Sequence, residues 1–185
     1  MNTKLQAIIL CGLGAVLFVP LIVADGLGSG NSVFGIFNIL FPFNLFFPFI
    51  TGKAFLFRII TEIIFGCWLL LAWRDPSYRP QRTALAIAIG LFVSVIGLAD
   101  VLGANPGRSF WSNFERMEGY VTLLHLAAYF IVLVSMVKTE KLWNRFLSLL
   151  LAVGVVQGAY GLFQIAGLID IRQGGTRLDG TFGNA

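Results

Sequence analysis

The chain has 185 residues, of which 57% are hydrophobic and 12% are charged, and its net charge is +4. An average soluble domain is about 45–50% apolar and about 25% charged, so this composition excludes an ordinary soluble core. The basic residues form short clusters between apolar runs, which gives no nucleic-acid binding surface. Long uninterrupted apolar runs indicate helices surrounded by lipid, and we predict an all-α protein, a polytopic transmembrane helical bundle.

Five apolar runs approach the length of about 20 residues that crosses a hydrocarbon core. The predicted spans cover residues 5–24, 54–73, 84–102, 120–137 and 146–168, within a single transmembrane domain that covers residues 1–185. The first run also resembles a signal peptide, because Lys4 precedes an apolar stretch that ends in small residues near Ala24. Its length and the spans that follow favour a retained span.

Two short basic loops predict the orientation of these spans. The loops contain Arg74, Arg79 and Arg82, and Lys138, Lys141 and Arg145. The positive-inside rule places both loops and the amino terminus in the cytoplasm, and an odd number of spans then places the carboxyl terminus outside. Residues 25–53, 103–119 and 169–185 are predicted to lie outside.

Residues 25–53 are too apolar for an ordinary loop, since seven phenylalanines alternate there with Pro42 and Pro48. Prolines this close together break a spanning helix. We interpret the segment as interfacial or re-entrant structure, with an irregular sixth hydrophobic segment as the alternative.

Three charged side chains fall near or within the second predicted span. Arg58 and Glu62 are four residues apart and share a helix face, and ionisable residues at membrane depth usually face the protein interior. They predict either a structural salt bridge or the lining of a polar groove open to the outside. Lys53, at the mouth of this helix, either adds positive charge for an anionic headgroup or extends to the interface.

The fifth predicted span carries a polar and small-residue stripe. Gln157 and Gln164 lie seven residues apart, and Gly154 and Gly158 form a small-xxx-small pair beside them. The pattern predicts helix packing, with a substrate groove as the second interpretation. His125 is the one histidine of the sequence, and interhelical hydrogen bonding is the favoured role over general-base catalysis.

The carboxyl-terminal segment reads IDIRQGGTRLDGTFGNA and combines arginines with glycines. Glycine turns can direct backbone N–H groups at an anion, and the arginine fork fits phosphate oxygens. Arg172, Arg177, Gly174 and Gly175 are therefore candidates for a pyrophosphate-binding loop, and a glycine-rich connector with solvated arginines is the alternative.

Several common signatures are missing from the sequence. It has no glycine-rich loop followed by Lys-Ser/Thr, no His-Glu-x-x-His and no paired Asp-x-Asp. Cys11 and Cys67 have no second Cys or His at the spacing of metal ligands. We therefore predict no metal and no cofactor, so that any transfer reaction would use a donor that is already activated.

Three stretches together resemble a known family. RLDGTFGNA, residues 177–185, resembles the Arg-x-x-Gly-Thr-Phe-Gly-Asn signature of the O-antigen ligase and O-antigen polymerase superfamily of bacterial membrane glycosyltransferases. FPFITGKAFLFRIITEI, residues 47–63, and SFWSNFERMEG, residues 109–119, resemble the early part of ligase-like members. The order of the pieces also fits, and the resemblance spans most of the chain.

The resemblance implies a protein of the bacterial inner membrane that transfers glycan from an undecaprenyl-pyrophosphate carrier to a lipid or glycan acceptor on the outer face. It implies that Arg177 belongs to the positively charged site facing the pyrophosphate. The implied partners are membrane lipids, the carrier-linked glycan and its acceptor, and no nucleic acid. The sequence ends within the signature, whereas family members continue with further spans and a periplasmic loop carrying a central histidine. We therefore expect the amino-terminal portion of a ligase-like protein, inactive alone.

Two alternatives stay open at the level of sequence. Polymerase activity on the same carrier is the alternative within the superfamily. From another class, a non-catalytic scaffold or small transporter would use the polar residues of the spans for packing or for a polar pathway.

Overall fold

The computed structural model describes residues 2–22, 51–113, 118–169, 178, 180 and 181. Within these residues the chain forms six α-helices and two short 3₁₀ turns, Val19–Leu21 and Pro76–Tyr78. The α-helices are α1 (Asn2–Phe18), α2 (Thr51–Arg74), α3 (Ala84–Leu102), α4 (Pro106–Trp111), α5 (Tyr120–Met136) and α6 (Glu140–Ile165). The predicted class, an all-α helical membrane bundle, is confirmed.

Four segments are long and apolar enough to cross a bilayer, namely α1 with its 3₁₀ turn, α2, α3 and α6. Helix α5 is also apolar but has 17 residues, or about 25 Å at 1.5 Å per residue. That length lies at the short end of the range that spans a hydrocarbon core.

Local sequence sets the helix boundaries. Thr83 caps α3 by accepting a hydrogen bond from the Ala86 amide, and Thr139 caps α6 by accepting one from Leu142. Because of the second cap, α6 begins at Glu140, six residues before the predicted span. Lys141 and Arg145, predicted to lie in a loop, are therefore on the first turns of a helix.

The turn after α2 follows from Asp75-Pro76. A residue before proline disfavours the helical conformation, and Asp75 is extended. Hydrogen bonds from the hydroxyl and backbone amide of Ser77 lower the pKa of the Asp75 carboxyl, because both favour the charged form. The amide bond is 2.9 Å long. This turn fixes the short connection from α2 to α3.

The core lies where α1, α2 and α5 meet. Its fully buried members include Ile9, Leu13, Ile64, Leu71 and Val132. Close approach of α1 to α2 depends on a glycine. A Cβ added at Gly12 would overlap Ile64 Cγ2, so any larger residue there would push the two helices apart.

Polar bonds hold the bundle together at both ends. We name the end formed by Leu21, Thr51, Tyr120 and Ile165 the Lys53 end, and the end formed by Arg74, Ala84, Met136 and Glu140 the Lys138 end. At the Lys138 end, Gln6 donates to the Tyr78 hydroxyl, and Lys138 donates to the Ser77 carbonyl. Trp68 Nε1 donates to the Tyr78 carbonyl at 3.0 Å.

Helices α3 and α6 leave most of their apolar surface uncovered. Helix α3 has no buried residue, and in α6 the buried residues are Val153 and Gln164. In a membrane protein such surface is stable against lipid or against further helices. A Cβ added at Gly154 or Gly158 would meet no described atom within 4 Å, so the described helices do not use this small-xxx-small pair for packing.

Candidate functional site

Four segments of the chain meet at the Lys53 end. They are the 3₁₀ turn Val19–Leu21 after α1, the first turn of α2, the last turns of α6, and the pair Gly180–Thr181. Thr181 is 2% exposed, although it lies outside any helix. A polar residue buried this deeply needs hydrogen-bond partners, and the surrounding segments supply them.

The Thr181 hydroxyl lies between two acceptors. Its Oγ1 is 2.5 Å from the Pro20 carbonyl oxygen and 2.7 Å from Gln157 Oε1. A hydroxyl has one proton to donate but can also accept. Both contacts are satisfied when the hydroxyl donates to Pro20 and a flipped Gln157 amide donates to the hydroxyl, since amide oxygen and nitrogen are assigned from such networks. Thr181 thus links α1 to α6.

The backbone of Gly180–Thr181 is held from two further sides. Lys53 Nζ donates to the Thr181 carbonyl, and the Gly180 amide donates to Gln164 Oε1 at 2.9 Å. Gln164 is 4% exposed. The structure therefore brings three predicted groove residues, Lys53, Gln157 and Gln164, to one pair of residues within the stretch that resembles the ligase signature.

The other two predicted groove residues form a second cluster, between α2 and α5. Arg58 Nη2 donates to Thr122 Oγ1 at 2.6 Å. Glu62 Oε1 lies 3.1 Å from His125 Nε2. Arg58 is 6% exposed, whereas the Glu62 side chain is 68% exposed. These two contacts join α2 to α5.

Both ring nitrogens of His125 face oxygen. Nδ1 lies 2.6 Å from the Val121 carbonyl oxygen, which can only accept, so Nδ1 carries a proton. The contact from Nε2 to Glu62 is a hydrogen bond only if a second proton lies between them, on the ring or on the carboxyl group. The contact between Glu62 and His125 connects α2 to α5, which agrees with the predicted interhelical role of His125.

A cleft of about 300 Å³ adjoins this pair. Its walls are Thr61, Phe65, Leu124 and Ala128, together with the pair itself. The walls are mostly apolar, so the cleft suits an acyl chain or an apolar side chain better than a sugar.

The predicted pyrophosphate loop lies outside the residues that the structure describes. Arg172, Gly174, Gly175 and Arg177 are not among the described residues, and neither are residues 25–50 of the predicted interfacial segment. Their proposed roles stay predictions.

Sequence reasoning missed two threonines that organise the site. Thr122 lies one turn before His125, so both face α2 from the same side of α5, and that spacing is a signal that the sequence offers. Thr181 is the second residue of the Gly-Thr-Phe-Gly-Asn stretch. Its burial between α1 and α6 depends on a chain reversal after α6, which no local pattern predicts.

Comparison with known proteins adds no relative. No protein-family model, no curated protein and no solved structure matches the chain.

Proposed function

We propose that this chain is part of a membrane glycosyltransferase of the O-antigen ligase type. In this proposal the chain spans the bacterial inner membrane several times, and its Lys53 end faces outward. It contributes to a site that binds an undecaprenyl-pyrophosphate-linked glycan and transfers the glycan to a lipid or glycan acceptor.

One observation carries the proposal beyond the resemblance itself. The described parts of all three resembling stretches lie at the Lys53 end, although they are far apart in sequence. Residues 51–63 form the first half of α2, residues 109–113 and 118–119 flank the start of α5, and Gly180–Thr181 closes over α1, α2 and α6. Parts of one site must converge in this way.

The middle stretch is fixed to this end by aromatic and backbone contacts. The rings of Phe110 and Tyr120 meet edge to face with centroids 5.3 Å apart. Gly119 has no room for a side chain, because a Cβ there would overlap the Phe110 carbonyl oxygen. The Arg58 bond to Thr122 then connects this region to α2.

The charge at this end suits a pyrophosphate. Lys53 brings an ammonium group to Gly180–Thr181. Arg177 precedes Gly180 by three residues, and a chain covers at most about 3.6 Å per residue, so its Cα is tethered within about 11 Å of that of Gly180. Two cations near one anion would hold the carrier and stabilise the charge that develops on its leaving pyrophosphate.

The transfer itself is a substitution at the anomeric carbon of the glycan. An acceptor hydroxyl forms the new C–O bond, the bond to the pyrophosphate oxygen breaks, and the hydroxyl proton passes to a base. We assign Lys53 and Arg177 to the leaving group. We assign no residue in the described part of this chain as the base.

Arg177→Ala in the complete protein tests the role of the signature. We expect glycan transfer to be lost while membrane insertion is unchanged. Ser94→Ala is the matched control, because its hydroxyl bonds to the Gly90 carbonyl at 2.8 Å on α3, away from the site. Unchanged transfer by Arg177→Ala removes this residue from the site.

A deletion strain separates ligase from polymerase. Loss of attachment to the lipid acceptor, with long chains still made on the carrier, indicates a ligase. Short chains indicate a polymerase.

The alternative of a non-catalytic scaffold or small transporter is favoured by one feature. Contacts within the chain occupy Lys53, Arg58, Glu62, Gln157 and Gln164, as packing residues require. A Lys53→Gln variant distinguishes this alternative from the glycosyltransferase proposal. A pure packing role of Lys53 predicts lower stability of the variant with no change in carrier binding, whereas a role in the site predicts weaker carrier binding.

A further inference from the structure

Helix α6 carries an exposed polar face at the opposite end of the bundle from the proposed site. Lys141, Asn144, Arg145 and Ser148 recur at intervals of three and four residues and are all exposed, which places them on one side of the helix. Leu149 and Ala152 continue the same side toward the middle of the span. Together with Glu140 they line a shallow cleft that is open to the surroundings and is formed by α6 residues.

The two cations of this face are uncommitted in the part of the chain that the structure describes. Lys141 and Arg145 make no ion pair or hydrogen bond with another described residue. Two other cations at this end, Lys138 and Arg79, differ in this respect. Lys138 donates to the Ser77 carbonyl and lies 5.4 Å above the Tyr78 ring, and Arg79 Nε donates to the Ala72 carbonyl at 3.2 Å.

Along this face of α6, the side chains change from cationic to polar to apolar toward the middle of the span. At 1.5 Å per residue, the cations come first, Ser148 lies about 10 Å from Lys141 along the axis, and Ala152 lies about 16 Å from it. A phospholipid that stands beside the helix presents the same order, with phosphate first, then glycerol esters, then acyl chain. Basic residues near the cytoplasmic surface of a membrane attract anionic headgroups.

We propose that this face binds one anionic glycerophospholipid of the leaflet at the Lys138 end. Arg145 and Lys141 contact the phosphate, Asn144 and Ser148 donate to glycerol and ester oxygens, and the acyl chain lies along Leu149 and Ala152. Glu140 lines the same cleft and opposes the anion. The site is independent of the proposed glycosyltransferase function, which concerns the other end of the bundle.

The proposal predicts opposite effects on lipid affinity for the basic residues and for Glu140. A basic residue near a membrane surface contributes about 1 kcal/mol toward anionic lipid, or about fivefold in binding. Arg145→Gln and Lys141→Gln should each weaken the binding of phosphatidylglycerol about fivefold, and the double variant about 25-fold. Glu140→Gln should strengthen it.

The measurement is native mass spectrometry of the full chain, purified in detergent and titrated with phosphatidylglycerol or with phosphatidylcholine. Arg82→Gln is the matched control, because it removes one exposed positive charge at the same end without touching α6. We expect this variant to bind phosphatidylglycerol within about twofold of the wild type. Circular dichroism and gel filtration confirm that each variant is folded.

Four results would overturn the proposal. They are equal weakening by Arg82→Gln and Arg145→Gln, equal binding of both lipids by the wild type, unchanged binding by the double variant, and displacement of the lipid by inorganic phosphate. The first indicates general surface charge, and the last indicates a site for a free anion.

Discussion

Thr181→Val removes one hydroxyl from the centre of the Lys53 end and keeps the shape of the side chain. The structure surrounds this hydroxyl with the Pro20 carbonyl and the Gln157 amide, at 2.5 and 2.7 Å. The residue is 2% exposed, so water cannot replace the lost partner. The docked position of Gly180–Thr181 must then become less favourable.

The magnitude follows from the group left without a partner. A buried polar group that loses its hydrogen bond costs about 1–3 kcal/mol, which corresponds to about a 5- to 150-fold change in the ratio of docked to undocked segment. The Gly180 amide, which donates to Gln164, reports this ratio directly. Its hydrogen exchange should accelerate by the same factor when the segment re-docks faster than the undocked amide exchanges.

Hydrogen exchange measured by mass spectrometry on the carboxyl-terminal peptide is the assay. Thr181→Ser restores the hydroxyl and should exchange close to the wild type. Exchange in the amino-terminal half of α3 should not change. Equal exchange of the Gly180 amide in the wild type and Thr181→Val would refute the reasoning that the hydroxyl holds this segment in place.

Three further predictions concern the bundle. Gly12→Ala should destabilise the protein by about 1–3 kcal/mol, because the added methyl group overpacks against α2. Gly66 has open space around it, so Gly66→Ala should stabilise the protein by up to about 1 kcal/mol through helix propensity. Reversible unfolding in detergent measures both variants, and equal effects would contradict the close approach of α1 to α2. A double-mutant cycle with Glu62→Gln and His125→Ala should give a coupling of about 0.5–2 kcal/mol, and additive losses would exclude the bond. Hydrogen bonds hold the pKa of Asp75 below its ordinary value, so the stability that it contributes is present above that ordinary value and is lost as the pH falls through the lowered one. Comparing the melting temperature of Asp75→Asn with the wild type across pH checks this, and a difference that persists in strong acid would contradict it.

Helix positions were predictable where apolar length and capping agree. The prediction for α3, residues 84–102, matches the structure because Thr83 caps its start and the helix ends before Gly103. Helix α6 begins six residues before the predicted span of residues 146–168, because its first turns are polar. A cap determines where the backbone becomes helical, whereas hydrophobicity determines where lipid begins, and the two differ at Glu140.

The sequence pointed to several residues of the two polar clusters but not to the way in which they are grouped. Charge and polarity inside apolar runs identified Lys53, Arg58, Glu62 and the two glutamines. A sequence pattern gives the face of a helix but not the neighbour that it meets. Tertiary packing therefore determines that some of these residues group around Thr181 and the others contact α5.

Carrier binding is the direct test of a pyrophosphate site at the Lys53 end. Undecaprenyl pyrophosphate should bind the protein in nanodiscs more tightly than undecaprenol does. Lys53→Gln and Arg177→Ala should each weaken the binding of undecaprenyl pyrophosphate about tenfold or more, because each removes a charge-assisted contact of about 1.5–3 kcal/mol. Arg82→Gln should leave the affinity unchanged. Equal affinity for undecaprenyl pyrophosphate and undecaprenol, or full affinity in both variants, would contradict a pyrophosphate site at the Lys53 end.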